Sequence, residues 1–169
     1  MVIRRSQYSD MDALRALFDE ARGTIAALGI DQWQNGYPND AVILEDIDRN
    51  RSFSVCLDGE VCGTFALIID GEPTYNEIFD GEWTEPSNDC YFALHRVAVS
   101  LKWRGRGMSS AIIEYAENEA RQSKKRFLRI DTHKGNVVMR KMLEKHGFAH
   151  CGTIFLHSGE SRVAYEKEI

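Results

Sequence analysis

At 169 residues the chain is long enough for one domain with its own core and short for two, so it reads as a single domain over residues 1–169. With 43 % apolar and 28 % charged residues, no run near the roughly 20 apolar residues of a membrane span, and no apolar signal stretch in MVIRRSQYSD, it reads as a cytoplasmic globular protein without a membrane partner. The net charge of −5 argues against a nucleic-acid partner and hides a polarity: residues 31–90 carry fourteen Asp or Glu against Arg49 and Arg51, whereas residues 101–130 carry eight Lys or Arg against Glu114, Glu117 and Glu119.

In chain order, VIRR at 2–5 reads as a short strand. Ser9 is placed to cap a helix, with Asp12 as the partner of a capping box. Ala13, Leu14, Leu17, Phe18 and Ala21 follow at helical spacing. Gly23 and Gly29 weaken or end that helix, and a second helix is predicted over Ala41–Asn50 with Asp40 as its cap. In the connection, Trp33 and Tyr37 suit the walls of a substrate cavity and Asp31 suits an ammonium group; plain packing of two loop aromatics is the equal alternative.

SFSVCL at 52–57 and EVCGTFALII at 60–69 alternate as strands around Asp58-Gly59, the strongest hairpin signal in the chain. A two-residue turn pairs Leu57 with Glu60 and Cys56 with Val61, which sends the Cys56 and Cys62 thiols to opposite faces. The four cysteines form neither a CxxC pair nor a zinc spacing, so free thiols and no metal are expected. Residues 70–89 make a long acidic connection, which Ile78, Phe79 and Trp83 are expected to anchor. Glu82, Glu85 and Asp89 are candidates for attracting a cation there, with a solvated loop as the plainer account.

CYFALHRVAV at 90–99 is a strand. Met108, Ala111, Ile112, Tyr115, Ala116 and Ala120 then trace a helix stripe. FLRIDT is a further strand, Asn136 caps a helix running to His146, and Gly147 stops it. AHCGTI and RVAYEKEI close the chain as strands. Strands joined partly by a hairpin and partly through helices imply an α/β sheet of mixed direction.

Between strand and helix stands Arg104-Gly105-Arg106-Gly107-Met108-Ser109. The first N–H groups of a helix lack internal partners and carry the positive end of its dipole, so they bind anions. Two glycines allow close approach to the backbone, and two arginines add charge. This suits a phosphate-bearing ligand, although the segment is neither a P-loop nor a dinucleotide fingerprint.

The segment resembles the Arg/Gln-x-x-Gly-x-Gly/Ala turn of the GCN5-related N-acetyltransferase (GNAT) family, with Val97-Ala98-Val99 as the strand end before it. Asn136, Met139, Met142, Lys145, Gly147 and Phe148 match a second family feature, an Asn followed by a helix and Gly-Phe. The resemblance implies a mixed, mostly antiparallel sheet of six to seven strands flanked by about four helices, with splayed fourth and fifth strands. It implies acetyl-coenzyme A as co-substrate, its pyrophosphate on the N–H groups of residues 105–109 and its pantetheine arm along the backbone of Val97, Ala98 and Val99. Asn136 would touch that arm, and Arg140 or Lys134 the ribose phosphate. The Val97 N–H would meet the oxyanion formed when an amine attacks the thioester.

Three positions depart from the family pattern. Ser109 stands for Gly or Ala, Leu101 for a common proline, and Leu143 for the tyrosine that in many members protonates the departing thiolate. His95 and His133 are candidate proton acceptors, each with a structural histidine as the alternative. His95 lies two residues before Val97 and so shares its face unless a bulge intervenes. The function expected is transfer of acetyl to a small-molecule or peptide amine, cationic if the acidic stretch serves it. A non-catalytic coenzyme-binding regulator is the other reading, with Leu143 as its support. A homodimer stays open.

Overall fold

The computed structural model describes all 169 residues. In chain order the elements are β1 (Val2–Arg5), α1 (Met11–Ala26), α2 (Asp40–Asp48), β2 (Ser52–Leu57), β3 (Glu60–Ile68) and β4 (Tyr91–Val99). They continue with α3 (Met108–Gln122), β5 (Phe127–Thr132), α4 (Val137–Lys145), β6 (Ala149–Phe155) and β7 (Ser161–Glu168). The strands form one seven-stranded sheet in the order β1-β2-β3-β4-β5-β7-β6. β4 and β5 are parallel, and β1–β2, β2–β3, β5–β7 and β6–β7 are antiparallel. This is the mixed α/β architecture that the element order implied.

The chain forms two compact units: Met1–Leu67 with Arg96–Ile112, and Ile68–His95 with Ile113–Ile169. In the first, Leu14, Leu17 and Phe18 of α1 and Ile43 and Ile47 of α2 bury a common apolar cluster that includes Ala98 of β4. The hairpin pairs Cys56 with Val61 and Leu57 with Glu60, as its two-residue turn requires. Asp58 and Gly59 both take positive φ, +53° and +84°, which matches the right-handed twist of the flanking strands. All four cysteines are free thiols.

Both predicted helix starts in this unit move. Ser9 lies in a 3₁₀ turn over Tyr8–Asp10, and α1 begins only at Met11. Asp10 takes the part assigned to Asp12: it accepts from the Gln7 N–H at 2.8 Å and pairs with Arg4 at 2.7 Å. A carboxylate already neutralised by a strand arginine is held more firmly than an exposed Asp12, which pairs only with Arg15 on its own helix. α2 is capped by Asn39, whose side chain accepts from Val42 N–H at 3.1 Å, so Asp40 is the first helical residue rather than the cap.

In the second unit, β5 pairs with β7 along its whole length, Phe127 with Glu168 through Thr132 with Val163. Its pairing with β4 is much shorter. Only Tyr91, Phe92 and Ala93 face Phe127, Leu128 and Arg129 in register. The core here gathers Ile68, Tyr75, Trp83, Tyr91, Phe127 and Ile154, with Ile78 packed against it. The acidic connection is stitched down at two places. Trp83 donates its indole N–H to the Tyr75 carbonyl at 2.9 Å, and Phe79 exchanges two 2.8 Å backbone hydrogen bonds with Thr153 of β6. Phe79 therefore anchors through its main chain. Its ring is exposed and meets only Phe155, edge to face.

Candidate active site

The turn before α3 keeps its backbone open. Gly105 and Gly107 both sit at φ +77°, a region that L side chains rarely adopt, and a Cβ placed on either would meet nothing within 4 Å. Residues 104–107 are exposed and Met108 is buried, so the helix start is rooted in apolar packing while the turn itself faces outward. A short 3₁₀ turn over Leu101–Trp103 leads into it. Glu20 of α1 holds that turn by accepting from the Leu101 N–H and from the Ser100 hydroxyl. Lys102 and Arg106 lie over the Trp103 ring, at 4.9 and 5.0 Å from its centroid. The result is a glycine-lined helix N-terminus beside two cations and the exposed Arg104, a combination suited to an anion.

β4 carries a feature that the alternation argument did not contain. Arg96 stands in the middle of the strand at φ +54°, a conformation that costs a non-glycine residue on the order of 1–3 kcal/mol. Its half-buried side chain compensates, pairing with Asp46 of α2 at 2.6 Å and donating to the Tyr37 hydroxyl at 2.7 Å. The strand is kinked between His95 and Val97, so those residues cannot be assigned a common face by counting. Tyr37, expected at a cavity wall, spends its hydroxyl on this arginine. Trp33 packs edge-on against Phe18, with ring centres 6.0 Å apart, and next to Tyr37.

In the second unit His95 lies two residues past the last β4 residue paired with β5. It is enclosed by groups that local sequence did not connect to it. Its Nε2 faces Glu72 Oε2 at 3.2 Å, an ion-pair separation without linear hydrogen-bond geometry, and its Nδ1 lies 3.8 Å from Asp131 Oδ1 of β5. The Tyr75 ring lies tilted beside the imidazole, with ring centres 5.8 Å apart, and its hydroxyl donates to Asp131 at 2.8 Å. Burial alone would raise the Glu72 carboxyl, but the neighbouring His95 and the hydrogen bonds from Thr74 outweigh it and hold the group at about 2. Burial together with the Asp131 charge pushes the Tyr75 phenol well above its ordinary value, so Tyr75 stays a hydrogen-bond donor.

The remaining candidates are spread over several partners. His133 accepts from the Gly135 N–H through Nδ1 at 3.0 Å and so shapes the turn after β5. Asn136 is buried and caps α4 by accepting from Met139 N–H at 3.2 Å. Arg140 donates to the Tyr165 hydroxyl and to the Lys134 carbonyl, both at 3.0 Å. Leu143 is fully buried in α4 and serves the core. Glu85 pairs with Arg126 at 2.8 Å, while Glu82 is exposed. Neither is in the carboxylate pair around His95.

Arg129 is a second group that sequence reasoning missed. It is completely buried in β5 between the rings of Trp83 and Tyr91, at 4.3 and 4.0 Å, and paired with Glu166 at 2.7 Å. It also donates to the Glu85 carbonyl, which ties the acidic connection to the sheet. An arginine beside apolar strand residues was the only local sign of it.

Known proteins resemble this chain in sequence and fold. The family model described as Acetyltransferase (GNAT) family matches residues 12–148, a span that runs through both units. A GNAT-family acetyltransferase from Streptococcus agalactiae 2603 has a crystal structure that is 34 % identical, with 99 % of this chain and 95 % of that one covered and a TM-score of 0.89. The uncharacterized N-acetyltransferase YesJ of Bacillus subtilis strain 168 is 21 % identical over 164 residues, 96 % of this chain and 87 % of that protein. PaiA N-acetyltransferase from Thermoplasma acidophilum, solved in complex with coenzyme A, has the same fold at 17 % identity, covering 99 % and 98 % with a TM-score of 0.73. No helix of this chain is long and apolar enough to cross a membrane.

Proposed function

The chain belongs to the GNAT family of acetyltransferases, and on that premise we propose that it transfers acetyl from acetyl-coenzyme A to a primary amine by direct attack, the acceptor being a cationic small molecule or peptide amine. Acetyl-coenzyme A supplies the acyl group as a thioester, already activated toward amines and carrying a thiol near pKa 8.5 as its leaving group. The observation that carries the reading is the open turn at the start of α3. Gly105 and Gly107 take positive φ with open space where a Cβ would stand, residues 104–107 are exposed, and Arg104 and Arg106 lie alongside, which supports assigning the N–H groups of residues 105–109 to a diphosphate.

The other roles follow the family pattern. The backbone of Val97, Ala98 and Val99 takes the pantetheine arm, and the Val97 N–H faces the developing negative charge. Met108 and Ser109 begin the helix under the pyrophosphate. Asn136 and Arg140 are assigned to coenzyme contacts. The short β4–β5 pairing supports this assignment, because a strand paired along its full length has no amides to offer an amide-bearing ligand. His95 is the proton acceptor with the richer setting; His133 is the second candidate. Trp33 and Tyr37, together with Glu82 and Glu85, remain the candidates for acceptor recognition.

Calorimetry with acetyl-coenzyme A tests the phosphate assignment. Arg104→Ala combined with Arg106→Ala is expected to weaken binding about tenfold, roughly 1.4 kcal/mol. Unchanged affinity would remove the turn from the site. A screen of amines that follows free thiol release then identifies the acceptor class.

A further inference from the structure

Glu72 belongs to none of the patterns that identify the family, yet the fold spends several contacts on fixing it. Its backbone N–H donates to the Tyr91 hydroxyl at 2.9 Å. Its Oε1 accepts from Thr74 twice, from the N–H at 3.2 Å and from the hydroxyl at 2.9 Å. With the main chain and one oxygen held, Oε2 points at His95 Nε2, 3.2 Å away. On the opposite side of the imidazole Asp131, held by the Tyr75 hydroxyl, lies 3.8 Å from Nδ1, beyond hydrogen-bond distance, so Nδ1 is the ring nitrogen left to take a proton. His95 is therefore gripped from three sides: by the connection that bears Glu72, by Tyr75, and by β5. The charged and titratable groups facing it are Glu72, Asp131 and Tyr75.

We infer that Glu72 is a positioning residue for acetyl transfer, orienting the His95 imidazole and balancing the positive charge that ring gains when it takes a proton from the acceptor. The inference rests on the reading of the chain as an amine acetyltransferase. In the step concerned, an N–H bond of the protonated acceptor breaks and its proton bonds to a ring nitrogen of His95. The nitrogen lone pair is thereby freed to bond the thioester carbon; the carbon–sulfur bond breaks, and the departing thiolate takes up the further proton that the acylated nitrogen loses. The imidazolium later returns its proton to water. A carboxylate on one side of an imidazole favours the charged ring and fixes which way it faces, which is the division of labour a proton-accepting histidine requires. The Nε2 contact is a close charge–charge approach at 3.2 Å rather than a linear hydrogen bond. Tyr75, whose phenol stays protonated, donates to Asp131 at 2.8 Å and so keeps that second carboxylate in place beside the ring.

The experiment compares the wild-type chain with Glu72→Gln and His95→Gln in three measurements: coenzyme A affinity by calorimetry, kcat and KM against pH by thiol release, and the ring ¹⁵N shifts of His95. Coenzyme A affinity within about twofold in both variants shows that each is folded. Glu72→Gln is expected to lower kcat about tenfold or more with little change in the KM for acetyl-coenzyme A. It should also move the acid limb of kcat/KM toward lower pH and alter the His95 ring shifts, because the neutral amide no longer favours the charged ring. A pH profile and ring shifts that superimpose on wild type overturn the inference while leaving the acetyltransferase reading standing. A wild-type chain that releases no thiol with any amine overturns that reading instead. Should Glu72→Gln fail to bind coenzyme A, Thr74→Val removes one of the two hydrogen bonds to Oε1 and keeps the carboxylate: a lowered kcat with altered His95 ring shifts supports the inference, and values equal to wild type overturn it.

Discussion

At the scale of single residues, this protein places its charges by pairing them. Arg129 shows the strongest case. A guanidinium with no exposed surface is tolerated because two aromatic faces and the Glu166 carboxylate replace water around it. Arg96 uses Asp46 and Tyr37 in the same way to hold an unfavourable backbone angle. Glu72 has a measurable consequence for stability. Its carboxyl titrates at about 2 in the folded chain against 4.5 ordinarily, a depressed value, so the native state releases its proton more readily than the unfolded chain. The stabilisation is complete above pH 4.5 and is lost as the pH falls through about 2, with an upper size of about 3 kcal/mol. Thermal unfolding between pH 5 and pH 2 should therefore show a steeper loss for the wild type than for Glu72→Gln. Equal slopes would mean that the His95 contact contributes no net stability.

Among the elements, periodicity and turn chemistry were readable wherever the determining contacts are local. The Asp58-Gly59 hairpin, the apolar stripes of α1 and α3, and the stop of α4 before Gly147 all follow from neighbours a few residues apart. Helix starts were less legible. At α1 and α2 several polar residues compete to cap, and the winner is chosen by tertiary partners such as Arg4. Asn136 is the cap that sequence located correctly. It also allows two roles to be separated. Asn136→Ala removes the cap and should cost about 1 kcal/mol, lowering Tm by roughly 2–4 °C. Asn136→Ser restores a capping oxygen, so its Tm should recover while acetyl-coenzyme A affinity stays reduced if the side-chain amide also serves the coenzyme. Recovery of both would confine Asn136 to the helix.

Across the whole molecule, charge is segregated along the chain, with a net of −12 over residues 31–90 and +5 over residues 101–130. Part of the acidic excess is internally neutralised: Asp46 by Arg96, Glu60 by Lys102, Glu85 by Arg126. The remainder, including exposed Glu82, is the basis for proposing a cationic acceptor, which a long-range negative field would attract. Raising salt from about 0.01 M to 0.15 M shortens the screening length from roughly 30 to 8 Å, so kcat/KM should fall more for a polycationic amine than for a monoamine. Glu82→Lys with Glu85→Lys should raise the KM of the polycationic acceptor selectively. An equal response of both acceptors would detach the acidic stretch from substrate recognition.

The division between what was legible and what was not follows from distance along the chain. Alternation, helical spacing, the glycine turn at 104–109 and the Asn136-to-Phe148 pattern act over a few residues each, and they sufficed for the family and the mixed sheet. Nothing local could announce that Glu72, Tyr75 and Asp131 meet at His95, since Asp131 is 36 residues beyond the histidine and the other two lie in an irregular connection. Nor could it announce that Arg96 leaves the strand conformation, because the residues that compensate for that backbone angle, Asp46 and Tyr37, come from a helix and a loop about 50 and 59 positions earlier. Short-range sterics and hydrogen bonding are written into neighbouring residues. The setting of a buried charge depends on which distant groups replace its water, and only the folded chain decides that.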